Sequence, residues 1–121
     1  MSAHTETALS RTETIARLND TARQGRDRQC RMFFTTNLLD RLGDRSFAAD
    51  ITAQRRIMRA MKDCAFADDS PERDLAIFEV GEQRVMMKID YFDTTLEWGS
   101  DDPADASITR RMITLMAPED Y

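Results

Sequence analysis

The sequence is poor in the residues that many nucleotide, metal and redox sites require. It has four glycines, and none lies close enough to another to form a G-x-G-x-x-G or Walker loop, which excludes classical nucleotide binding. Its two cysteines, Cys30 and Cys64, form no C-x-x-C pair, so their spacing fits neither a zinc site nor a thioredoxin-like motif. We therefore expect reduced thiols and no cofactor.

The N-terminus is polar and contains the only histidine, His4. We expect residues 1–11 to form a flexible tail, in which a histidine cannot be held as the base of a nucleophilic triad. The stretch also lacks the basic start and apolar core of a signal peptide, and apolar runs elsewhere are only a few residues long. These absences predict a cytoplasmic protein without membrane contact.

The length of the chain fits a single domain, and its charge is unevenly distributed along the sequence. No long Pro, Gly or Ser linker divides the 121 residues, so we expect one domain over residues 12–121. Residues 1–62 contain 12 Lys and Arg against 7 Asp and Glu, whereas residues 63–121 contain 5 against 15. This asymmetry indicates either an electrostatic partner or two halves that neutralise each other in the fold.

The hydrophobic pattern predicts an α+β fold. Apolar residues at helical spacing indicate helices over residues 12–24 and 47–63, with Thr12 and Asp50 as N-caps, and a short helical turn between them. Residues 30–36 indicate a strand, and residues 75–80 and 84–92 alternate as a hairpin that turns at Gly81.

The C-terminal third adds a weaker strand, a loop and a helix to this prediction. Residues 95–98 are a possible further strand, residues 99–105 have loop composition, and a last helix is predicted from Asp105 to Pro118. The predicted fold is a small antiparallel sheet of three to four strands packed with two to three helices, in the order α-β-α-β-β-(β)-α.

Several motifs resemble those of a known bacterial family. The runs FEVGEQRVMMKIDYFD, LEWGSDDPAD and TRRMITLMAPEDY look like the F-E-V-x-G-E-R hairpin, K-I-D-Y-Y-D strand, G-S-x-D-P-A-D loop and acidic-aromatic end of the domain-of-unknown-function family 3768. Leu18, Asn19, Asp20 and Arg23 match its L-N-D helix. The resemblance implies a small cytosolic protein, often encoded on plasmids and other mobile elements, with no established activity.

One departure from the family pattern concerns a histidine. Where family members commonly have G-E-H-D-F-G, this chain has Pro71, Glu72, Arg73, Asp74, Leu75 and Ala76. If that histidine were catalytic in the family, Arg73 would put the activity in doubt here. The two acids that flank this position, Glu72 and Asp74, are kept.

Three sets of residues are candidate sites. An acidic set could form a surface for a basic protein partner, although turn formation and helix capping are the simpler explanation for its loop members: Asp90, Asp93, Glu97, Asp101, Asp102 and Asp105. Trp98 could anchor that partner, with core or edge-strand packing as the alternative. A polar site could form from Glu72, Asp74, Lys88 and Tyr91; Lys88 would share a face with Asp90, or else pair with Glu79 across the hairpin.

These sets support three hypotheses of function. We prefer a protein-interaction or inhibitor protein, such as an anti-CRISPR or anti-restriction protein whose acids replace DNA phosphates. The first alternative is a metal-assisted hydrolase that uses the carboxylates together with Lys88, although the spacing matches no EF-hand and no metal ligand is assigned. The second is nucleic-acid binding through arginines of residues 17–31 and 55–59. The sequence does not determine the oligomeric state.

Overall fold

The computed structural model describes residues 9–121 of the chain. This range contains three α-helices, and a hydroxyl side chain caps the N-terminus of each. The hydroxyl oxygens of Ser10, Thr35 and Ser46 each accept a hydrogen bond from the backbone N–H three residues later, which satisfies a donor that the first turn leaves free. The helices are α1 (Arg11–Arg23), α2 (Thr36–Leu42) and α3 (Phe47–Lys62). The predicted caps Thr12 and Asp50 were wrong, because an earlier serine caps each helix. His4 and most of the predicted tail lie outside the described residues.

Four strands form one mixed sheet. They are β1 (Arg31–Phe34), β2 (Leu75–Val80), β3 (Gln83–Phe92) and β4 (Arg110–Met116), in the spatial order β1-β4-β3-β2. The hairpin of β2 and β3 turns at Gly81, whose φ of 61° favours glycine, as predicted. The antiparallel prediction was wrong for one pair: β4 runs antiparallel to β3 but parallel to β1.

The predicted last helix was wrong, because residues 110–116 are the strand β4. The helix prediction rests on four apolar residues whose spacing places them on one helix face: Ile108, Met112, Leu115 and Met116. In the structure, however, the buried side chains of Ile113 and Leu115 alternate with the half-buried side chains of Met112 and Thr114, which is the period of a strand. Strands on both sides of β4 supply its hydrogen-bond partners. A short 3₁₀ helix (Pro118–Asp120) follows.

The possible strand at residues 95–98 was also wrong, since these residues form turns. The carboxylate of Asp93 accepts hydrogen bonds from the backbone N–H and the hydroxyl of Thr95, and Leu96 has a φ of 65°. An isolated bridge joins Phe92 and Gly99, on either side of this segment, and residues 95–98 themselves belong to no strand.

The hydrophobic core lies between the three helices and one face of the sheet. Ala76 and Val80 of β2 and Val85, Met87 and Ile89 of β3 are buried on this inner face, as their alternation predicts. They pack with Ala22, Leu38, Ile57 and Met61 from the helices and with Ile113 and Leu115 from β4. The α+β class, with four strands and three helices in residues 9–121, is confirmed. None of these helices is both long and apolar enough to cross a membrane.

Candidate functional site

A buried polar network joins α1, β3, β4 and the loop before β2. We define it as Asn19, Glu72, Tyr91 and Arg111. The Asn19 amide nitrogen donates to the Tyr91 hydroxyl at 2.8 Å and to the Glu72 carbonyl at 2.9 Å, and its amide oxygen accepts from Arg111 Nε at 2.6 Å. The Tyr91 hydroxyl in turn donates to Glu72 Oε1 at 3.0 Å. Asn19 is fully buried and holds distant segments of the chain together.

Arg111 is the charged member of this network and is 2% exposed. Its Nη2 donates to the Pro103 carbonyl at 2.7 Å, and its guanidinium carbon lies 5.0 Å from the centre of the Tyr91 ring, a cation–π distance. Burial lowers the pKa of Arg111 from its usual value, and the negative groups around it act in the opposite direction. Arg111 remains a cation, because its usual pKa lies far above neutral pH.

The phenol of Tyr91 is held in its protonated form. Burial raises the pKa of Tyr91, and the nearby carboxylates of Asp74 and Glu72 raise it further, although the hydrogen bond from Asn19 acts in the other direction. Tyr91 is therefore a hydrogen-bond donor at neutral pH rather than a base.

The predicted polar site is divided between the two faces of the sheet. Glu72 and Tyr91 join the buried network, whereas Lys88 lies on the outer face and pairs with Asp90 at 3.3 Å. Lys88 also lines an open groove of about 770 Å³, together with Asp74 and the last residue, Tyr121. The expectation that Lys88 and Asp90 share a face is confirmed, while the alternative pairing with Glu79 is wrong because Glu79 lies opposite Arg84.

Arg73 ties α1 to the loop before β2. Its Nη2 and Nε donate to the two carboxylate oxygens of Asp20 at 2.8 and 3.1 Å. Arg23, which is buried, donates to the same carboxylate at 2.7 Å and to the carbonyls of Met61 and Lys62 at the end of α3. Arg73 holds a φ of 56°, so its backbone adopts a conformation that side chains rarely take.

We expect the Asp20 carboxylate to make stability depend on pH in the acid range. Burial alone would raise the pKa of Asp20, but hydrogen bonds from Arg73 and Arg23 outweigh it and lower the pKa. A lowered folded-state pKa stabilises the protein fully above the unfolded-state value of about 3.9, and this contribution is lost as pH falls through the folded-state pKa.

Urea denaturation of the wild type and of Asp20→Asn from pH 7 to pH 2 measures this effect. The variant should be less stable at pH 7, and the difference should shrink as the solution is acidified. Asp101→Asn is the matched control, since Asp101 is exposed and forms no ion pair within residues 9–121. A difference between wild type and Asp20→Asn that stays constant over this range would contradict the assignment.

The six predicted acids do not gather into one cluster. Asp90 pairs with Lys88 and Asp102 pairs with Arg11 at 3.1 Å. Asp93, Asp102 and Asp105 each accept a hydrogen bond from the backbone N–H two residues later, which is the turn-forming role considered as the alternative. Glu97 and Asp101 are exposed and form no ion pair within residues 9–121.

Trp98 stands on the loop between these acids and is 71% exposed, so packing in the core was the wrong alternative for it. Its backbone is nevertheless fixed. The Trp98 carbonyl accepts from the Asp93 N–H at 2.8 Å, and the N–H of Ser100 donates to the Tyr91 carbonyl at 3.0 Å. Two backbone hydrogen bonds, at Trp98 itself and at Ser100, thus attach the loop to the end of β3.

The geometry offers no metal centre in the part of the chain that is described. No three His, Cys, Asp or Glu side chains of residues 9–121 lie together as a group that could hold a metal ion. The described part of the chain therefore does not bring together the carboxylates that the hydrolase alternative requires.

Sequence reasoning missed Asn19 and Arg111 as partners in one network, although each carried a signal. Asn19 falls between Ile15 and Ala22 on the buried face of α1, where a polar residue needs partners. Arg111 falls two residues before Ile113 and therefore on the inner face of β4, but the helix prediction hid this alternation.

Three helices on one face of a mixed four-stranded sheet, fixed by a buried polar network, define a two-layer α+β protein. The chain belongs to the DUF3768 family of proteins of unknown function, whose sequence model matches residues 35–120 and confirms the family expected from the motifs. Glu72, Tyr91 and Arg111 lie within the matched residues, and Asn19 precedes them. No curated protein and no solved structure matches the chain.

Proposed function

We propose that this protein is a cytoplasmic protein-interaction protein, and that residues 93–105, which we call the acidic loop, bind a partner with a basic surface. The observation that carries the proposal is the exposure of Trp98 on a loop whose backbone is fixed. Tryptophan is among the residues that most often dominate the free energy of protein association. An exposed indole on an ordered loop loses little conformational entropy when it is buried by a partner.

The charge around Trp98 supports a basic partner. Asp93, Glu97, Asp101 and Asp105 surround the indole in sequence, and none forms an ion pair within the described chain. Carboxylates of this kind accelerate association with a positive surface and help to set the orientation of the complex. Asp93 and Asp105 keep lowered pKa values because hydroxyl and backbone groups of Thr95 and Ser107 bond to them, so they stay charged at neutral pH.

A finer proposal concerns the class of partner. Enzymes that handle nucleic acids have basic surfaces, and the acids of the loop would occupy the places of DNA phosphates on such a surface. The protein would then act as an inhibitor of a defence enzyme, such as an anti-CRISPR or anti-restriction protein. The mobile-element setting that the family resemblance implies supports this class.

Affinity capture with three variants tests the proposal. The tagged wild type is expected to retain a partner from a bacterial lysate, and Trp98→Ala or Asp101→Asn/Asp105→Asn should reduce the retained amount about tenfold or more, the usual effect of removing a dominant contact. Phe47→Ala is the matched control, because Phe47 is an exposed aromatic residue at the start of α3, 83% exposed. Quantitative mass spectrometry measures the retained proteins.

Salt and DNA then distinguish the finer proposal from the coarser one. Elution by moderate salt is expected for an electrostatic complex. Competition by double-stranded DNA is expected only if the acids occupy a DNA-binding surface. The proposal fails if Trp98→Ala and the control retain the same proteins, or if nothing is retained beyond the level of the bare resin.

A further inference from the structure

Strand β2 lies at one edge of the sheet, with β3 on one side of it and no strand of residues 9–121 on the other. The Ile89 N–H of β3 donates to the carbonyl of Asp74, just before β2, at 2.8 Å. Residues of an antiparallel strand alternate between bonding to the neighbouring strand and facing away from it. The residues of β2 that direct their backbone N–H and C=O groups away from β3 are therefore Leu75, Ile77 and Glu79.

Two of these three residues keep their outward groups free within residues 9–121. The Leu75 carbonyl accepts a hydrogen bond from the Ser70 hydroxyl at 3.3 Å, but the backbone of Ile77 and Glu79 makes no bond on its outward side. Proteins usually protect such an edge with lysine, proline, a bulge or a very short strand. The six residues of β2 have none of these, whereas the opposite edge, β1, has only four residues. β2 is therefore the edge that is open to a further strand.

We infer that two copies of this chain associate through antiparallel pairing of their β2 strands, with the two-fold axis between the two Phe78 residues. In this register Ile77 lies opposite Glu79 of the second copy, so the free N–H and C=O groups of both residues become paired. Leu75, whose carbonyl already bonds to Ser70, stays outside the pairing. The sheet then continues from one copy into the other.

The side chains along this register suit a second copy. Phe78 packs against the core from the inner face and is only partly buried, so the two rings meet at the axis, where the side chains of antiparallel strands lie closest. On the outer face Ile77, which is 44% exposed, packs beside the aliphatic part of Glu79 of the second copy. Glu79 lies opposite Arg84 of its own copy, so no like charges face each other across the paired strands.

Charge complementarity at the ends of the paired strands favours a second copy over an unrelated strand. Antiparallel pairing brings the loop before β2 of one copy beside the hairpin turn of the other. Asp68 and Asp69 of that loop are exposed and form no ion pair within residues 9–121. The surface at the turn is lined by Arg41 and Arg56 against one acid, Glu82, and Arg56 is also exposed and unpaired in the described range. The two-fold axis repeats this contact at the other end.

Sedimentation equilibrium from about 1 μM to about 1 mM tests the association, since an interface of modest size binds in this range. Ile77→Pro should abolish the dimer, because proline removes an outward N–H and costs β2 no bond to β3. Ile77→Glu should weaken the dimer by placing like charges opposite each other, and the Ile77→Lys variant should associate about tenfold more tightly than the Ile77→Glu variant. Phe33→Glu is the matched control, because Phe33 is an exposed apolar residue of the other edge strand. Trp98→Ala should leave the dimer intact, since the inference is independent of the proposed function.

Hydrogen exchange identifies the strand that pairs. The amides of Ile77 and Glu79 are expected to exchange fast in dilute protein and to become protected as the dimer forms, while those of Ala76 and Phe78 stay protected throughout because they bond to β3. A chain that sediments as a monomer up to about 1 mM overturns the inference. It is also overturned by a dimer that leaves Ile77 and Glu79 unprotected, that responds equally to either charge at position 77, or that Phe33→Glu weakens as much as Ile77→Glu does.

Discussion

Replacement of Asn19 with alanine should lower the free energy of unfolding by about 3 kcal/mol, because it removes three hydrogen bonds from a buried site. Arg111 Nε would lose its acceptor, and the Tyr91 hydroxyl and the Glu72 carbonyl would lose a donor. A buried donor of a charged group left without a partner is among the most costly defects that one substitution produces. Urea denaturation followed by circular dichroism measures the change.

Asn37→Ala provides the control for this prediction. Asn37 is also on a helix and donates to a single carboxylate oxygen, that of Asp120 at 3.0 Å, on the protein surface. Its replacement should cost about 1 kcal/mol or less, since water can replace the lost bond. Equal losses for the two asparagine variants would show that the network does not carry the stability assigned to it.

Ile113→Ala is expected to destabilise the protein by about 3 kcal/mol, the usual cost of removing most of a buried isoleucine from a close-packed core. Ile113 is fully buried and lies in the central strand β4 between β1 and β3. It contacts the core through the inner face of the sheet, where Leu115 and Ile89 also pack. Chemical denaturation at neutral pH measures this change as well.

Met112→Ala distinguishes the strand from the helix that the sequence pattern favours. In β4, Met112 points to the outer face and is only half-buried, so its truncation should cost about 1 kcal/mol. In the predicted helix, Met112 would share the buried face with Leu115, whereas Ile113 would not. A larger loss for Met112→Ala than for Ile113→Ala would therefore contradict the strand.

The two charged halves of the chain meet in the fold without neutralising each other completely. Arg11 of the first half pairs with Asp102 of the second, and Asp20 of the first half accepts from Arg73 of the second. Glu97 and Asp101 form no ion pair within residues 9–121.

The sequence by itself determined the features that depend on neighbouring residues. The hairpin of β2 and β3 follows from alternation and from Gly81, and the helices α1 and α3 follow from apolar spacing. The family follows from short motifs that lie mostly within residues 74–121. Each of these signals spans fewer than about 20 residues, which is the range over which periodicity and turn chemistry act.

Only the tertiary structure decided the features that depend on distant partners. Residues 110–116 have apolar positions that suit a helix, but β1 and β3 offer hydrogen-bond partners on both sides, and pairing with them outweighs local preference. Asn19 and Arg111 are 92 residues apart, and their bond exists only because α1 packs beside β4.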